Sequence, residues 1–221
     1  MNCFTIIEKA EQYVRAYMYK HKNDRLHYHN TVHTEKVVEA ATQIALHYKL
    51  SENDIFIIVI ACWFHDLGYY ETIVNHERAG ALMAEAFLKS YSLDEETINT
   101  VKKCILATTL PQTPRNLLEQ IICDADLFHF GAEDFIRQSK LVKQEIETIY
   151  NLHINEKSWW NTTICFFENH HYHTDYCRNL LDDKKRDNLE KLTRKVAELI
   201  KRHGQNLVCG SAECIKQFSR L

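Results

Sequence analysis

The residues best suited to chemistry are His65 and Asp66, which directly follow an apolar stretch at residues 55–64. A buried imidazole and a buried carboxylate cost free energy unless a partner compensates them. A divalent cation compensates both at once, because neutral imidazole and carboxylate are common metal ligands. The alternative is a hydrogen-bonded His–Asp pair at a helix end, and this segment by itself favours that alternative.

Two other segments carry further candidate ligands. His29 and His33 are four residues apart, a spacing at which two side chains share one face of a helix. The pair could bind one cation or one substrate, although a surface pair of histidines is the more common case. Asp124 and Asp126 lie in an otherwise apolar helix, and each continues an apolar stripe, so periodicity does not choose between them. Salt bridges within the core are the alternative, but burying several such groups without a shared partner is costly.

The rest of the chain predicts helices that position these groups. Only five glycines and two prolines interrupt 221 residues, and no strand-like alternation is present, so we expect an all-α fold. The first predicted helix ends at residues 21–25, the second runs from Thr31 to Tyr48, and the third is capped by Ser51 with Asp54 and carries His65 and Asp66. Two helices follow that are capped by Asn75 and by Ser92 with Glu95. A helix from Arg115 to Phe130 stops near Gly131, and further helices are predicted over residues 132–150, 156–172 and 183–203.

Composition restricts the possible partners. The formal net charge is -3 and the isoelectric point is about 6.5, so no global basic field attracts nucleic acid. The eight cysteines form no C-x-x-C pair, which favours a reducing compartment over a disulfide framework. No signal peptide opens the sequence, and the apolar run at residues 55–64 is too short to cross a bilayer. We therefore expect a cytoplasmic protein with neither nucleic acid nor membrane as a partner.

The order of the candidate ligands resembles the H…HD…D signature of the HD superfamily of metal-dependent phosphohydrolases. His33, the pair His65-Asp66, and Asp126 match the signature in sequence order. The resemblance covers roughly residues 25–135, and it implies a compact helical bundle of about eight to ten helices. It places the last ligand at Asp126 and leaves Asp124 as a group beside the ligands or on the helix surface. The flanking segments that also match are Tyr28-His29-Asn30-Thr31-Val32, Trp63-Phe64, Leu67-Gly68, Cys123-Asp124-Ala125 and Leu127, and residues 155–195 are similar to the tail of bacterial members.

The resemblance also implies a reaction. It predicts a phosphohydrolase that binds a divalent metal (Mn, Mg, Fe, Co, Ni or Zn) and cleaves a small phosphate ester, with a nucleotide expected, by attack of a metal-activated water. Asp66 would orient the water or bridge to a second ion. His29 would protonate the leaving oxygen, as the histidine does in cyclic nucleotide phosphodiesterases that share the Tyr-His-Asn…His pattern. A packing role for His29 stays open. The alternatives are a cyclic nucleotide phosphodiesterase and a non-catalytic regulatory module that binds metal and nucleotide.

The segments around this signature favour one metal ion over two. Binuclear members carry further histidines after the His-Asp pair, and residues 104–109 contain none. His76 and Glu77 could reach the first site or complete a second one through water. Alternatively, both residues lie in an exposed first turn of a helix and have no role in the site. This alternative is favoured for Glu77, whose charge would interact well with the helix dipole, but not for His76. No glycine-rich phosphate loop is present. Arg78, Lys36 and Lys140 are the candidates to bind a substrate phosphate, although each is also typical of a solvated helix face.

The C-terminal region adds two expectations. Residues 1–204 are predicted to form one HD domain that includes the C-terminal helices, and residues 205–221 are predicted to be a flexible tail. An apolar stripe on the last helix could pack on the domain or join a second protomer as a homodimer. The stripe consists of Leu189, Leu192, Val196 and Leu199.

Overall fold

A computed structural model describes residues 2–203 of the chain. Within this range every regular element is helical, with nine α-helices and two 3-10 helices, and the predicted all-α fold is confirmed. The predicted tail, residues 205–221, lies outside the described residues, and the single domain over residues 1–204 stays a prediction. The α-helices are α1 (Cys3–Lys20), α2 (Thr31–His47), α3 (Glu52–Phe64), α4 (His76–Ser90), α5 (Glu95–Ala107), α6 (Leu117–Asp126), α7 (Phe135–Tyr150), α8 (Glu156–Asn169) and α9 (Asp175–His203); the 3-10 helices are Leu67–Tyr70 and Phe128–Gly131.

The described residues form two compact units that divide between Leu127 and Phe128. The first unit contains α1 to α6 and is built around α3, whose residues are all buried from Phe56 to Phe64. A helix that is apolar on every side must be covered on every side, and α3 packs against α1, α2, α4, α5 and α6. The chain that leaves α3 therefore begins inside the unit, where a polar side chain needs a compensating partner.

Side-chain caps define where the helices of the first unit begin. The Asn30 side chain accepts hydrogen bonds from the backbone N–H groups of Val32 and His33, at 3.0 and 3.4 Å, so α2 starts at Thr31. Ser51 caps α3 as predicted, because its Oγ accepts the Asp54 N–H at 3.1 Å. These caps satisfy backbone donors that have no partner within the helix.

Three predicted helix starts or ends in this unit need correction. Helix α5 is capped by Asp94, which accepts the Thr97 N–H at 2.8 Å, and not by Ser92, whose positive φ of 56° places it in the preceding turn. Asn75 precedes α4, but its φ of 59° is left-handed and its side chain makes no capping hydrogen bond. The predicted helix from Arg115 to Phe130 is wrong, because the α-helix ends at Asp126 and a separate 3-10 helix follows.

Two glycines permit the close approach of α4 to the end of α3. A Cβ atom added at Gly68 would lie 1.9 Å from the backbone oxygen of His76. A Cβ atom added at Gly80 would lie 2.4 Å from the backbone oxygen of Phe64. Both distances are far below a van der Waals contact, so only glycine fits at either position without movement of the backbone. The first turn of α4 is thereby held against the segment that follows α3.

The second unit packs aromatic residues beneath α9. Phe130 stacks on Phe167 with ring centroids 4.3 Å apart, and Asn188 donates hydrogen bonds to the backbone oxygens of Phe130 and Ala132 at 2.9 and 2.8 Å. Helix α9 also packs against α8. In the predicted apolar stripe, Leu192 and Val196 are buried, and Leu189 and Leu199 are half-buried. Packing of the stripe within the unit is therefore confirmed, and a homodimer stays a prediction.

Three predicted helix bounds in the second unit are also wrong. Helix α7 begins at Phe135 and not at residue 132, and α8 ends at Asn169 because His170 adopts an extended backbone. Helix α9 begins at Asp175, eight residues before the predicted start at residue 183. The Thr174 hydroxyl accepts the Cys177 N–H at 3.2 Å, so the first turn has a side-chain cap that the charged sequence concealed.

Two expectations from composition concern the cysteines and the membrane. All of the cysteines in the described residues except Cys3 are buried. Over residues 2–203, no helix has the length and apolar character needed to span a bilayer.

Candidate metal centre

The ends of three helices in the first unit supply the predicted ligands. His33 lies in the first turn of α2, His65 and Asp66 directly follow α3, and Asp126 is the last residue of α6. His33, His65 and Asp66 are each no more than 6% exposed. Helix ends suit this purpose because the rigid backbone aims a side chain while the following residues turn away.

The four side chains converge on one point. The Nε2 atoms of His33 and His65 lie 3.2 and 3.1 Å from Asp66 Oδ2. The same two nitrogen atoms lie 3.3 and 3.7 Å from Asp126 Oδ1. In the described residues, His33, His65 and Asp66 form the one group of three ligands whose donor atoms all lie within 4.8 Å of one another. Asp126 presents its carboxylate to the same two imidazoles.

The chemistry of these atoms fits a divalent cation. Three ligand atoms are buried and close together, yet none of them has a hydrogen-bond partner: His33 Nε2, His65 Nε2 and Asp66 Oδ2. His65 Nδ1 lies 2.8 Å from the backbone oxygen of Cys62, which directs Nε2 toward the carboxylates. Buried polar atoms without hydrogen bonds are costly. A cation held by imidazole nitrogen and carboxylate oxygen would satisfy all three, so the residues fit the metal that the sequence predicts.

The electrostatics of the cluster are dominated by the close approach of imidazole and carboxylate. Burial alone would lower the pKa of His65, but Asp66 and Asp126 outweigh it and raise that pKa well above its usual value. Burial would raise the pKa of Asp66, yet the surrounding imidazoles, led by His65 and His29, hold it well below the usual range. Both carboxylates are therefore ionised at neutral pH and available as ligands.

His29 lies beside this cluster, but not for the reason that its spacing suggested. It precedes the cap residue Asn30 and is outside α2, so the shared helical face expected for His29 and His33 is wrong. Its ring centroid nevertheless lies 5.7 Å from that of His33, and it stacks on Tyr69 at 4.2 Å with an interplanar angle of 24°. The ring is half-buried and close enough to Asp66 to lower the pKa of that carboxyl.

His76 and Glu77 are both brought to the site by the first turn of α4. His76 Nε2 lies 3.7 Å from Asp66 Oδ1, the oxygen that does not face His33 and His65. Glu77 Oε2 lies 3.6 Å from His76 Nδ1. The preference for an exposed Glu77 is wrong, because Glu77 is buried where α4 is pressed against the 3-10 helix Leu67–Tyr70. Burial lowers the pKa of His76, against the opposing effect of Asp66 and Glu77.

The remaining candidates lie in different surroundings. Asp124 is completely buried, so it does not lie on the helix surface. Arg78 is exposed on the first turn of α4, next to the two residues that reach the site. Lys140 is exposed on α7 in the second unit, where its charge acts on Glu156. Phosphate binding by Arg78 or Lys140 stays a prediction.

Sequence reasoning missed two tyrosines that line the imidazoles. Tyr28 packs on His33 with centroids 4.6 Å apart, and Tyr69 stacks on His76 at 3.6 Å. Both tyrosines are less than a tenth exposed. The only signal was proximity in the sequence, since Tyr28 directly precedes His29 and Tyr69 follows Asp66 by three residues.

Comparison with known proteins agrees with this geometry. The family model described as HD domain matches residues 31–131, which include all four predicted ligands. No curated protein matches the chain.

Three solved structures share the fold over nearly their whole length. A predicted HD superfamily hydrolase from an uncultured Thermotogales bacterium is 22% identical and has a TM-score of 0.57, with 90% of this chain and 99% of that chain covered. The Lin1889 protein from Listeria innocua is 16% identical, with a TM-score of 0.61 and coverage of 90% and 98%. Bacillus subtilis YpgQ in complex with ADP is 16% identical, with a TM-score of 0.61 and coverage of 92% and 98%.

The family follows from the matched residues together with the fold. The matched segment contains the converging histidines and aspartates, and the all-helical architecture is that of the similar structures. The match therefore assigns residues 31–131 to the HD domain family, within a fold that the three solved structures share.

Proposed function

We propose that the protein is a metal-dependent phosphohydrolase that cleaves a small phosphate ester, with a nucleotide as its substrate. One observation carries the proposal: the buried ligand atoms of His33, His65 and Asp66 converge without hydrogen bonds to one another. That arrangement is expensive for an ordinary core and suited to a cation. Because the described residues contain one such group of three, we propose one metal ion and not two.

The reaction would divide between the metal and two side chains. A bound divalent cation lowers the pKa of a coordinated water and polarises the phosphoryl group. The two oxygens of Asp66 face different neighbours, Oδ2 toward the ligand histidines and Oδ1 toward His76. Asp66 can therefore bind the cation with one oxygen and orient the attacking water with the other. His29, whose ring lies beside this carboxylate, is proposed to donate the proton to the leaving oxygen.

Two observations bear on the class of substrate. YpgQ, which shares the fold, was crystallised with ADP, and this supports a nucleotide. The segment Tyr28-His29-Asn30 places an imidazole next to the ligands, which favours a cyclic nucleotide phosphodiesterase as the second candidate. Arg78, exposed beside His76, is the proposed contact for a substrate phosphate.

The experiment that tests this function is an assay of the purified protein with Mn²⁺, Mg²⁺, Fe²⁺, Co²⁺, Ni²⁺ and Zn²⁺. Nucleoside mono-, di- and triphosphates and cyclic nucleotides would be offered with each metal. We expect turnover that is abolished by EDTA and by Asp66→Ala. Binding of nucleotide without turnover by any metal form would instead identify a regulatory module.

The ligand set is tested by two aspartates of α6. We expect Asp126→Ala to lose both metal and activity, because it removes the oxygen that faces His33 and His65. Asp124→Asn is the matched control, since it alters a buried aspartate two residues away on the same helix. Full metal occupancy in Asp126→Ala, or loss of metal in Asp124→Asn alone, would show that the assignment of Asp126 is wrong.

The role of His29 is tested by separating binding from turnover. We expect His29→Ala to retain the metal, because His29 is not among the converging ligands. Its kcat should fall by about 100-fold or more, the usual contribution of a general acid. Unchanged turnover would assign His29 to packing alone.

The location of the protein is proposed from its thiols. Five of the six described cysteines are buried, and burial raises the pKa of Cys104 to about 12. Such thiols behave as small apolar side chains. This supports the cytoplasmic location that we expected from composition.

A further inference from the structure

A stack of three aromatic rings stands against the candidate metal centre. The Tyr69 ring is the middle one: its centroid lies 4.2 Å from that of His29 and 3.6 Å from that of His76. The interplanar angles are 24° and 18°, so both pairs are stacked face to face. The outer rings are 6.4 Å apart. The two histidines thus contact the same tyrosine and not primarily each other.

The backbone around Tyr69 is held more firmly than the backbone around His29. Tyr69 is 4% exposed and lies in the 3-10 helix Leu67–Tyr70, which packs closely on α4 at Gly68. The Tyr69 N–H donates to the backbone oxygen of Asp66 at 3.1 Å, so the backbone of Tyr69 is tied to the ligand segment. His29 instead lies between α1 and α2, outside any helix, and its ring is half-buried.

The position of both histidines matters because each lies close to Asp66. His76 Nε2 lies 3.7 Å from Asp66 Oδ1, and the charge of His29 acts on the same carboxylate. A single rotation about a side-chain bond of His29 would carry its ring away from this group. The flat face of an aromatic ring restricts such a rotation, because it offers a broad contact in only one ring orientation.

We propose that Tyr69 is a positioning residue whose ring holds the imidazoles of His29 and His76 in fixed orientations beside Asp66. The catalytic part of this inference rests on the proposed function, in which His29 donates a proton to the leaving oxygen. Tyr69 itself contacts neither the substrate nor the reacting atoms. It acts through the two histidines, and it does so with its ring face.

The kinetic test compares Tyr69→Leu with Tyr69→Phe on the nucleotide that the wild-type protein hydrolyses. The leucine variant loses the flat face, and we expect its kcat to fall by about 10- to 100-fold with KM changed less than about threefold, because a misplaced proton donor affects the transition state and not substrate binding. The phenylalanine variant keeps the face and should recover most of kcat. An equal loss in both variants would overturn the proposal, because the hydroxyl and not the ring face would then be responsible.

A packing role without positioning is distinguished by a matched control. Tyr91→Leu removes a tyrosine of the same unit whose ring packs on Phe87, with centroids 5.0 Å apart, and not on a histidine. We expect it to lower the unfolding midpoint while leaving kcat per folded molecule unchanged. If Tyr69→Leu behaves like Tyr91→Leu, the positioning role is refuted.

A second measurement does not depend on turnover. In the Mg²⁺-loaded protein, the Hε1 resonances of His29 and His76, assigned with the two alanine variants, should be displaced by the ring current of Tyr69. Both should shift in Tyr69→Leu and should largely keep their positions in Tyr69→Phe. Resonances that do not move in Tyr69→Leu would overturn the proposal.

The two measurements separate the two hypotheses. If the wild-type protein hydrolyses no phosphate ester but the resonances respond as expected, the positioning of the imidazoles stands and the hydrolase function fails. If the protein hydrolyses a nucleotide and Tyr69→Leu leaves both kcat and the resonances unchanged, the function stands and the positioning role fails.

Discussion

The substitution Gly80→Ala tests whether the close contact between α4 and the end of α3 outweighs helix propensity. Gly80 lies inside α4, where alanine is normally preferred because glycine loses more backbone entropy on folding. On an exposed helix this change would stabilise the protein by about 0.5–1 kcal/mol. Propensity alone therefore predicts that Gly80→Ala is more stable than the wild-type protein.

The structure predicts the opposite sign. The new Cβ would lie 2.4 Å from the backbone oxygen of Phe64 and 3.1 Å from that of His65. Neither atom belongs to a flexible side chain, so one helix must move away from the other, and overpacking of this kind typically costs about 1–3 kcal/mol. Subtracting the gain in propensity leaves a net loss of up to about 2.5 kcal/mol in the free energy of unfolding, and of about 1 kcal/mol at the middle of both ranges.

The assay is urea unfolding followed by far-UV circular dichroism, together with amide hydrogen exchange along α3 and α4. Ala86→Gly is the control, because Ala86 is exposed on the same helix and its replacement measures the propensity effect alone. We expect both variants to be less stable than the wild-type protein. The contact argument would be refuted if Gly80→Ala raised the free energy of unfolding by as much as Ala86→Gly lowers it.

The same substitution has a consequence for the candidate metal site. Displacement of the Phe64 and His65 backbone moves the imidazole of His65, and loss of the support around a ligand typically weakens metal binding by about 10- to 100-fold. We expect Gly80→Ala to weaken Mn²⁺ binding in titration calorimetry by about tenfold or more. Ala86→Gly should not change it, since its side chain is exposed and far along the helix from His76.

Two further predictions concern a helix cap and pH. Asn30→Ala should cost about 1 kcal/mol of stability and weaken metal binding, because the cap holds the first turn that carries His33. The control Asp94→Ala, which uncaps α5, should lose stability without losing affinity for the metal. Equal metal affinities of the two variants in thermal-shift and calorimetric titrations would contradict this prediction. Burial, with a smaller contribution from Lys185 and neighbouring imidazoles, lowers the pKa of His170 to about 2, so below about pH 6.5 the unfolded chain binds a proton that the folded protein does not. Stability should therefore fall by about 2 kcal/mol from pH 7 to pH 5 on account of this group, and urea unfolding of His170→Phe should show a correspondingly smaller fall.

The features that sequence predicted well depend on local patterns. The apolar run over residues 55–64 indicated a buried helix, and the structure buries α3 on every side. Ser51 caps α3 as predicted, because its hydroxyl accepts the Asp54 N–H and donates to the Asp54 carboxylate within one turn. The choice of Asp126 over Asp124 came from the resemblance to the HD superfamily, since both positions continue apolar stripes and periodicity did not distinguish them.

The features that sequence missed depend on contacts between distant residues. Glu77 lies in a charged helical turn typical of solvent, yet Gly68 and Gly80 press that turn against the interior and bury it. Ser92 and Asp94 both have side chains that can cap a helix, and the backbone φ of the first excluded it. No pattern along the chain indicates that Tyr69 contacts both His29 and His76, because the three residues belong to different segments.

The location of the ligands at helix ends connects stability with metal binding. His33, His65 and Asp126 are each fixed by a separate helix, so the packing of the helices brings their polar atoms together. The nearby carboxylates raise the pKa of His65 well above its usual value, against the effect of burial. An imidazole must be deprotonated to bind a metal, so a cation would compete with a proton for this nitrogen, and the affinity for the metal should rise with pH.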